Sequence, residues 1–286
     1  MSAATLPPAG SVLGALKLLA ERPSAMFGLA VIASLVVVAL LAPWIAPYAA
    51  DDFTEGVLEP PSWAHLFGID QIGRDLFSRV ILGTRISLRI GLLAVGISLA
   101  FGVTLGVLAG YFGGWVDAAI MRVMDVVMAL PYVLLAVLIA TALGPSLENG
   151  IIAIGIVRIP RFARVARAAT LATVELPYVE AARCIGASHP RIIAKEILPN
   201  ILGPLIVYGT LSLGDAILAA AVLSFLGLGA QPPTPEWGAL LYEAQKYLTT
   251  AAYLSLFPGL FVFVTVLSFN LLGDGLRDML DPKSRR

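Results

Sequence analysis

The chain has 286 residues, 58% of them hydrophobic and only 13% charged, against roughly 25% charged in ordinary soluble domains. Nineteen basic and nineteen acidic residues cancel, so net charge names no partner. This composition excludes a soluble enzyme, a nucleic-acid binder and a disulfide-stapled secreted domain, and leaves a polytopic membrane protein.

A charge-free run over residues 23–50 exceeds the ~20 apolar residues that a bilayer span needs. It predicts a first span over 26–45, with Trp44 and Tyr48 at the interface. The run is too long for a cleaved signal peptide, and an acidic loop follows it. A second span is expected over 90–111, where Gly91, Gly96, Gly102, Gly106 and Gly110 provide small faces for close packing. Gly113-Gly114 is a tight turn. Beyond it Asp117, Arg122 and Asp125 form either a local ion pair or a solvated helix end. The third span covers 120–143 with a kink at Pro131. The fourth, 150–169, is crossed by Arg158, Pro160, Arg161 and Arg164. The fifth runs over 201–221 with Asp215 inside it, and the sixth over 251–272. The fold class read from these runs is all-α and polytopic, with six transmembrane helices.

Charge placement orients the spans. Lys17 and Arg22 precede the first; Arg277, Lys283, Arg285 and Arg286 follow the last. Between the fourth and fifth lie Arg158, Arg161, Arg164, Arg167, Arg183, Arg191 and Lys195 against Glu175, Glu180 and Glu196. Positive-inside bias puts both termini and this loop in the cytoplasm. The opposite side receives the acidic loop carrying Asp51, Asp52, Glu55, Glu59, Asp70 and Asp75. The organisation expected is a cytoplasmic segment 1–24, a first helix 25–48, an extracytoplasmic loop 49–86, a membrane core 87–274 and a cytoplasmic tail 275–286.

Residues 175–200 form the most informative stretch. Pro177 suits the first turn of a short helix and Gly186 its C-terminal stop. Ser188 can cap a second helix with Pro190 in its first turn, and Pro199 is expected to end it before the fifth span. Two short helices would then lie along the cytoplasmic face. Ala181 and Ala182 offer a smooth surface, and Glu180 and Arg183 offer charge to a partner. Cys184, the one cysteine, allows no internal disulfide and reads as a small buried or cytosolic side chain.

Glu180-Ala181-Ala182, Gly186 and Leu198-Pro199 together resemble the loop motif of ATP-binding-cassette (ABC) importer permeases. Glu196 departs from it, standing where the motif has Ile. His65 to Arg79, Gly83 to Leu88, Ala109 to Asp117, Met121 to Asp125, Leu223 to Gly229, Pro232 to Gly238 and Gly273 to Asp278 resemble permeases of the dipeptide and oligopeptide group, of the second or C type. Ala220 departs again, since many relatives carry Glu there. The resemblance extends over about residues 25–283. It implies the type I ABC importer permease fold, and it implies that Glu180, Ala181, Ala182, Arg183, Gly186, Leu198 and Pro199 couple the chain to an ATPase. It also implies a bacterial inner membrane, a second, B-type permease, two ATP-binding subunits and an extracytoplasmic peptide-binding protein as partners. ATP and Mg would be used by the ATPases; no cofactor is expected on this chain. Relatives carry dipeptides, longer peptides, glutathione and nickel, so the cargo stays open between peptides and these others.

The absence of any Gly-Lys dipeptide fits this reading, because a phosphate-cradling Walker loop needs one. Three rival classes compete with this reading. Arg158, Arg161, Arg164 and Arg167 recur as voltage-sensing charges do, yet no partner acids stand out in neighbouring spans, which favours a positive-inside anchor. An intramembrane protease has only Gly273-Asp274 in its favour. An ion-gradient-driven transporter is the serious alternative. Finally, Arg158 and Asp215 each cost about 2.5–3.5 kcal/mol on insertion scales and so must face protein or water. Either they form a structural pair or contact a partner subunit, or they line the translocation path.

Overall fold

The computed structural model describes residues 22–280. Lys17, Lys283, Arg285 and Arg286, on which part of the charge argument rests, lie outside the described residues. The elements in order are α1 (Pro23–Ile45), α2 (Leu76–Phe112), α3 (Gly114–Met128), α4 (Tyr132–Leu143), α5 (Leu147–Val174), α6 (Pro177–Cys184), α7 (His189–Ile192), a π-helical turn (Ile193–Ile197), α8 (Leu198–Phe225), α9 (Trp237–Ala244) and α10 (Tyr253–Leu280).

By length and composition fewer than the expected six helices qualify as spans. Among the described residues four helices are long and apolar enough to cross a bilayer, or five if α3 and α4 form one broken span. Those two meet at an angle of 87°. Pro131 denies the chain an N–H and disfavours helix at the residue before it, so the expected kink becomes a break. The 28-residue α5 is long enough, but its arginines keep it out of that set.

Two boundaries also move. Helix α2 begins at Leu76, inside the segment expected to be loop, because Asp75 caps it by accepting from the Ser78 N–H at 2.7 Å. At ~1.5 Å per residue its 37 residues are far longer than the ~30 Å hydrocarbon core, so its arginine-bearing start projects beyond the bilayer. Pro199 does not end a helix either. The chain runs helically from His189 to Phe225, with Pro199 in the first turn of α8. The wide π turn before it absorbs the missing N–H, and Asn200 Nδ2 donates to the Glu196 carbonyl at 2.7 Å.

Helices α2 and α5 form the spine. Gly102, Gly106 and Gly110 of α2 back directly onto Ile159, Phe162, Ala163, Ala166, Arg167 and Thr170 of α5, leaving no room for a Cβ. Helix α1 packs antiparallel to α2 and α10: Tyr48, just past its end, donates to Ser78 Oγ, and Arg22, just before its start, pairs with Asp278. The two ends of the described chain therefore meet at one end of the bundle. Buried residues gather in three clusters: one in the α2–α5–α8 interior, one beneath α9 and α10, and one under the loop 175–197.

Candidate functional site

The loop expected to couple to a partner sits at the same end as Arg22 and Asp278. Helix α6 ends in a left-handed Gly186 (φ +77°), with the Ala187 N–H on the Ala182 carbonyl at 3.1 Å and the Gly186 N–H on the Arg183 carbonyl at 3.0 Å. This paired closure is what a glycine in that position makes available. Val179 and Ala182 face inward with Ile192 and Ile197, against Val107, Tyr111 and Ala166. Ala182 is thus an anchor rather than part of the outer surface. Glu180, Ala181, Arg183, Cys184 and Gly186 are exposed, as is Pro199; Leu198 is half-buried. Ile185 projects furthest, at 83% exposure.

Two further residues hold the loop that motif reading did not single out. Tyr111 Oη shares a 2.8 Å hydrogen bond with His189 Nδ1, and the Arg183 guanidinium lies 5.5 Å from the centre of the Tyr111 ring. The sequence signal was an aromatic pair, Tyr111-Phe112, just before the Gly113-Gly114 turn.

Three of the four arginines of α5 are matched by acids after all. Arg164 donates to Asp125 Oδ1 at 2.6 Å, and Arg167 grips both oxygens of Asp117. Asp117 and Asp125 therefore do not pair with Arg122, which is exposed. Helix α3 folds back beside α5, so the acids meet cations distant in sequence. Arg158, only 4% exposed, has Nη1 3.7 Å from Asp215 Oδ2, an ion pair too long for a hydrogen bond. Its Nε has no hydrogen-bond partner. The Asp215 side chain is 53% exposed, on the side of α8 that also shows Leu218 and Phe225. The two candidate path residues are thus brought together.

At the opposite end a buried ionic cluster ties the long first loop to α9. Asp70 accepts from Arg74 Nε at 2.6 Å and from Arg79 Nη1 at 2.7 Å. Glu243 accepts from Arg74 Nη2 at 2.5 Å, Arg79 Nη1 at 2.9 Å and Gln71 Nε2 at 3.1 Å. Burial alone would raise the Glu243 carboxyl, but hydrogen bonds and charge from Arg79, with Arg74 and Gln71 assisting, hold it below its usual range. His65 Nδ1 lies 2.8 Å from Asp75 Oδ1, and Trp237, fully buried, donates to the Val80 carbonyl at 3.0 Å. Trp63, by contrast, is 98% exposed.

Residues 102–286 match the family described as the binding-protein-dependent transport system inner membrane component. The chain belongs to that family. Residues 14–61 match the N-terminal transmembrane domain of oligopeptide transport permease C. The chain is 50% identical over 251 residues to the glutathione transport system permease protein GsiD of Escherichia coli O6:K15:H31, covering 87% of this chain and 83% of the relative. The GsiD protein of Shigella boydii matches at the same identity and coverage. Among solved structures, the inward-facing MetNI methionine ABC transporter gives a TM-score of 0.58 at 19% identity, covering 72% of this chain and 98% of that chain. An amino acid ABC transporter determined with histidines gives 0.52 at 17% identity, covering 71% of this chain and 95% of that chain. These two neighbours bear on the fold alone.

This protein is therefore a permease subunit of the oligopeptide permease family, a transport component rather than an enzyme. Inner-membrane ABC permeases of this kind work with ATPase and binding-protein partners.

Proposed function

We propose that this chain is the C-type half of the translocation pathway of a peptide importer, paired with a B-type permease over two ATP-binding subunits. In this reading the loop 175–200 is cytoplasmic, the ATPases supply ATP and Mg chemistry, and a binding protein delivers cargo at the ionic-cluster end. Short peptides are the cargo class, with glutathione included because the GsiD relatives are named for its transport. The observation that carries the reading is the build of α6. Val179 and Ala182 fasten it to the bundle, while Glu180 and Ile185 stand free to dock. A rigid helix held on one side and exposed on the other can pass a push from a partner into α5 and α8.

Arg158 and Asp215 fit the path better than a sealed structural pair, since half of Asp215 is exposed at a depth where lipid cannot solvate a carboxylate. The test is reconstitution of the complex in proteoliposomes with ATP and loaded binding protein. Uptake of dialanine or glutathione by the native complex, lost in Glu180→Lys, supports the assignment. Uptake that persists without any ATPase refutes it and favours an ion-gradient-driven carrier.

A further inference from the structure

Four arginines rise along α5, and their partners differ. Arg158 has Asp215, Arg164 has Asp125 and Arg167 has Asp117. Arg161 alone of the four has no ion-pairing carboxylate among the described residues, and it is exposed. Its guanidinium lies 5.4 Å from the centre of the Tyr132 ring, which begins α4 directly after the break at Pro131.

Depth makes this unusual. Gly102 of α2 backs onto Ile159, Phe162 and Ala163, which bracket Arg161. Gly102 is central in a stretch, residues 90–112, without a single charge. Arg161 therefore stands near the middle of the bilayer. An exposed guanidinium there cannot face lipid tails, and lipid-exposed irregular backbone such as the α3–α4 joint is tolerated at that depth only beside protein or a water-filled cavity. Both observations put the same face of the molecule on an aqueous or proteinaceous interior. The Arg158–Asp215 pair is neutral overall, so Arg161 leaves this region with one uncompensated positive charge.

We propose that Arg161 meets the carboxylate that anionic cargo carries beyond the one balanced by its ammonium group, and that this charge favours peptides with a net negative charge over neutral peptides of similar size. The proposal deepens the importer reading and rests on it. The Tyr132 ring, 5.4 Å from the guanidinium, supports it by cation–π attraction, and with no carboxylate of the described residues on it the fork can grip a cargo carboxylate in bidentate fashion.

The test uses the whole complex in proteoliposomes with saturating loaded binding protein. Uptake is measured in parallel for glutathione, which is net anionic, and tri-alanine, which is net neutral. In Arg161→Gln the ratio of glutathione to tri-alanine flux should fall by about tenfold, the size of one charge-assisted contact, whereas Arg161→Lys, which keeps the charge but not the fork, should restore only part of it. Arg164→Gln, whose guanidinium already has Asp125, should leave the ratio unchanged. An unchanged ratio in Arg161→Gln, or equal loss of both peptides, overturns the proposal, because a merely structural arginine would behave so. Loss of the partner permease on purification of Arg161→Gln would also overturn it, placing a carboxylate of that partner opposite Arg161. If the native complex imports neither peptide, the peptide reading itself fails, which is a different result from native uptake with an insensitive Arg161.

Discussion

Gly186 offers the sharpest test of how α6 is built. Its φ of +77° is closed to most L-residues at a cost of about 1–2 kcal/mol, with Asn the best tolerated after Gly. No atom lies within 4 Å of where a Cβ would stand, so size by itself should not matter. The substitutions should therefore rank by backbone tolerance. Gly186→Asn should be mild, and Gly186→Ala should cost about 1 kcal/mol, shifting the local closed–open balance of α6 about fivefold. A β-branched Gly186→Val should cost more. Gly186→Pro should be worst, since it fixes φ near −65° and removes the N–H now bonded to the Arg183 carbonyl at 3.0 Å. The readouts are hydrogen exchange over residues 177–187 and stimulation of ATP hydrolysis by loaded binding protein, with membrane insertion as a control. Valine tolerated as well as asparagine, or proline with unimpaired coupling, would show that the left-handed exit does not set the helix and would refute the reasoning.

Other outcomes follow from the same structure. Ile185→Asp should weaken co-purification of the ATPase without altering insertion, because the side chain touches little of its own chain and is free to meet a partner. Arg158→Gln or Asp215→Asn should leave the complex assembled while cutting peptide flux; dissociation, or unchanged flux, would remove that residue from the path. Glu243 is ionised in the folded chain with its pKa depressed, so its contribution to stability is present above its ordinary value near 4.5 and is lost as pH falls through the lower folded value. Thermal unfolding of the native protein should therefore weaken below about pH 4.5 more than that of Glu243→Gln, and identical acid limbs would refute the assignment. Deleting Asp52 to Pro61, which includes no member of the buried cluster, should reduce stimulation by the binding protein; unchanged stimulation would make that segment a tether only.

Much of this molecule was legible from local pattern. Apolar runs located α1, the inner part of α2, α4 and α10, because transfer of apolar side chains from water depends on composition and not on neighbours. Pro177, Gly186 and Gly113-Gly114 marked ends and turns that the backbone obeys for local reasons. The fate of the charges was not legible in this way. Asp117 and Asp125 stood beside Arg122 in sequence, yet they pair with Arg167 and Arg164, about 40 to 50 residues away. Asp70, Arg74 and Arg79 lay in what read as an acidic outer loop, and they join Glu243 of α9 in one ionic cluster. Pro131 was read as a kink and broke the span, while Pro199 was read as a stop and did not end the helix. An ion pair needs only proximity, and a proline only somewhere to place its strain. Both are decided by which helices pack together, here by the glycine seam that lays α5 against α2 and so sets which charges share a level.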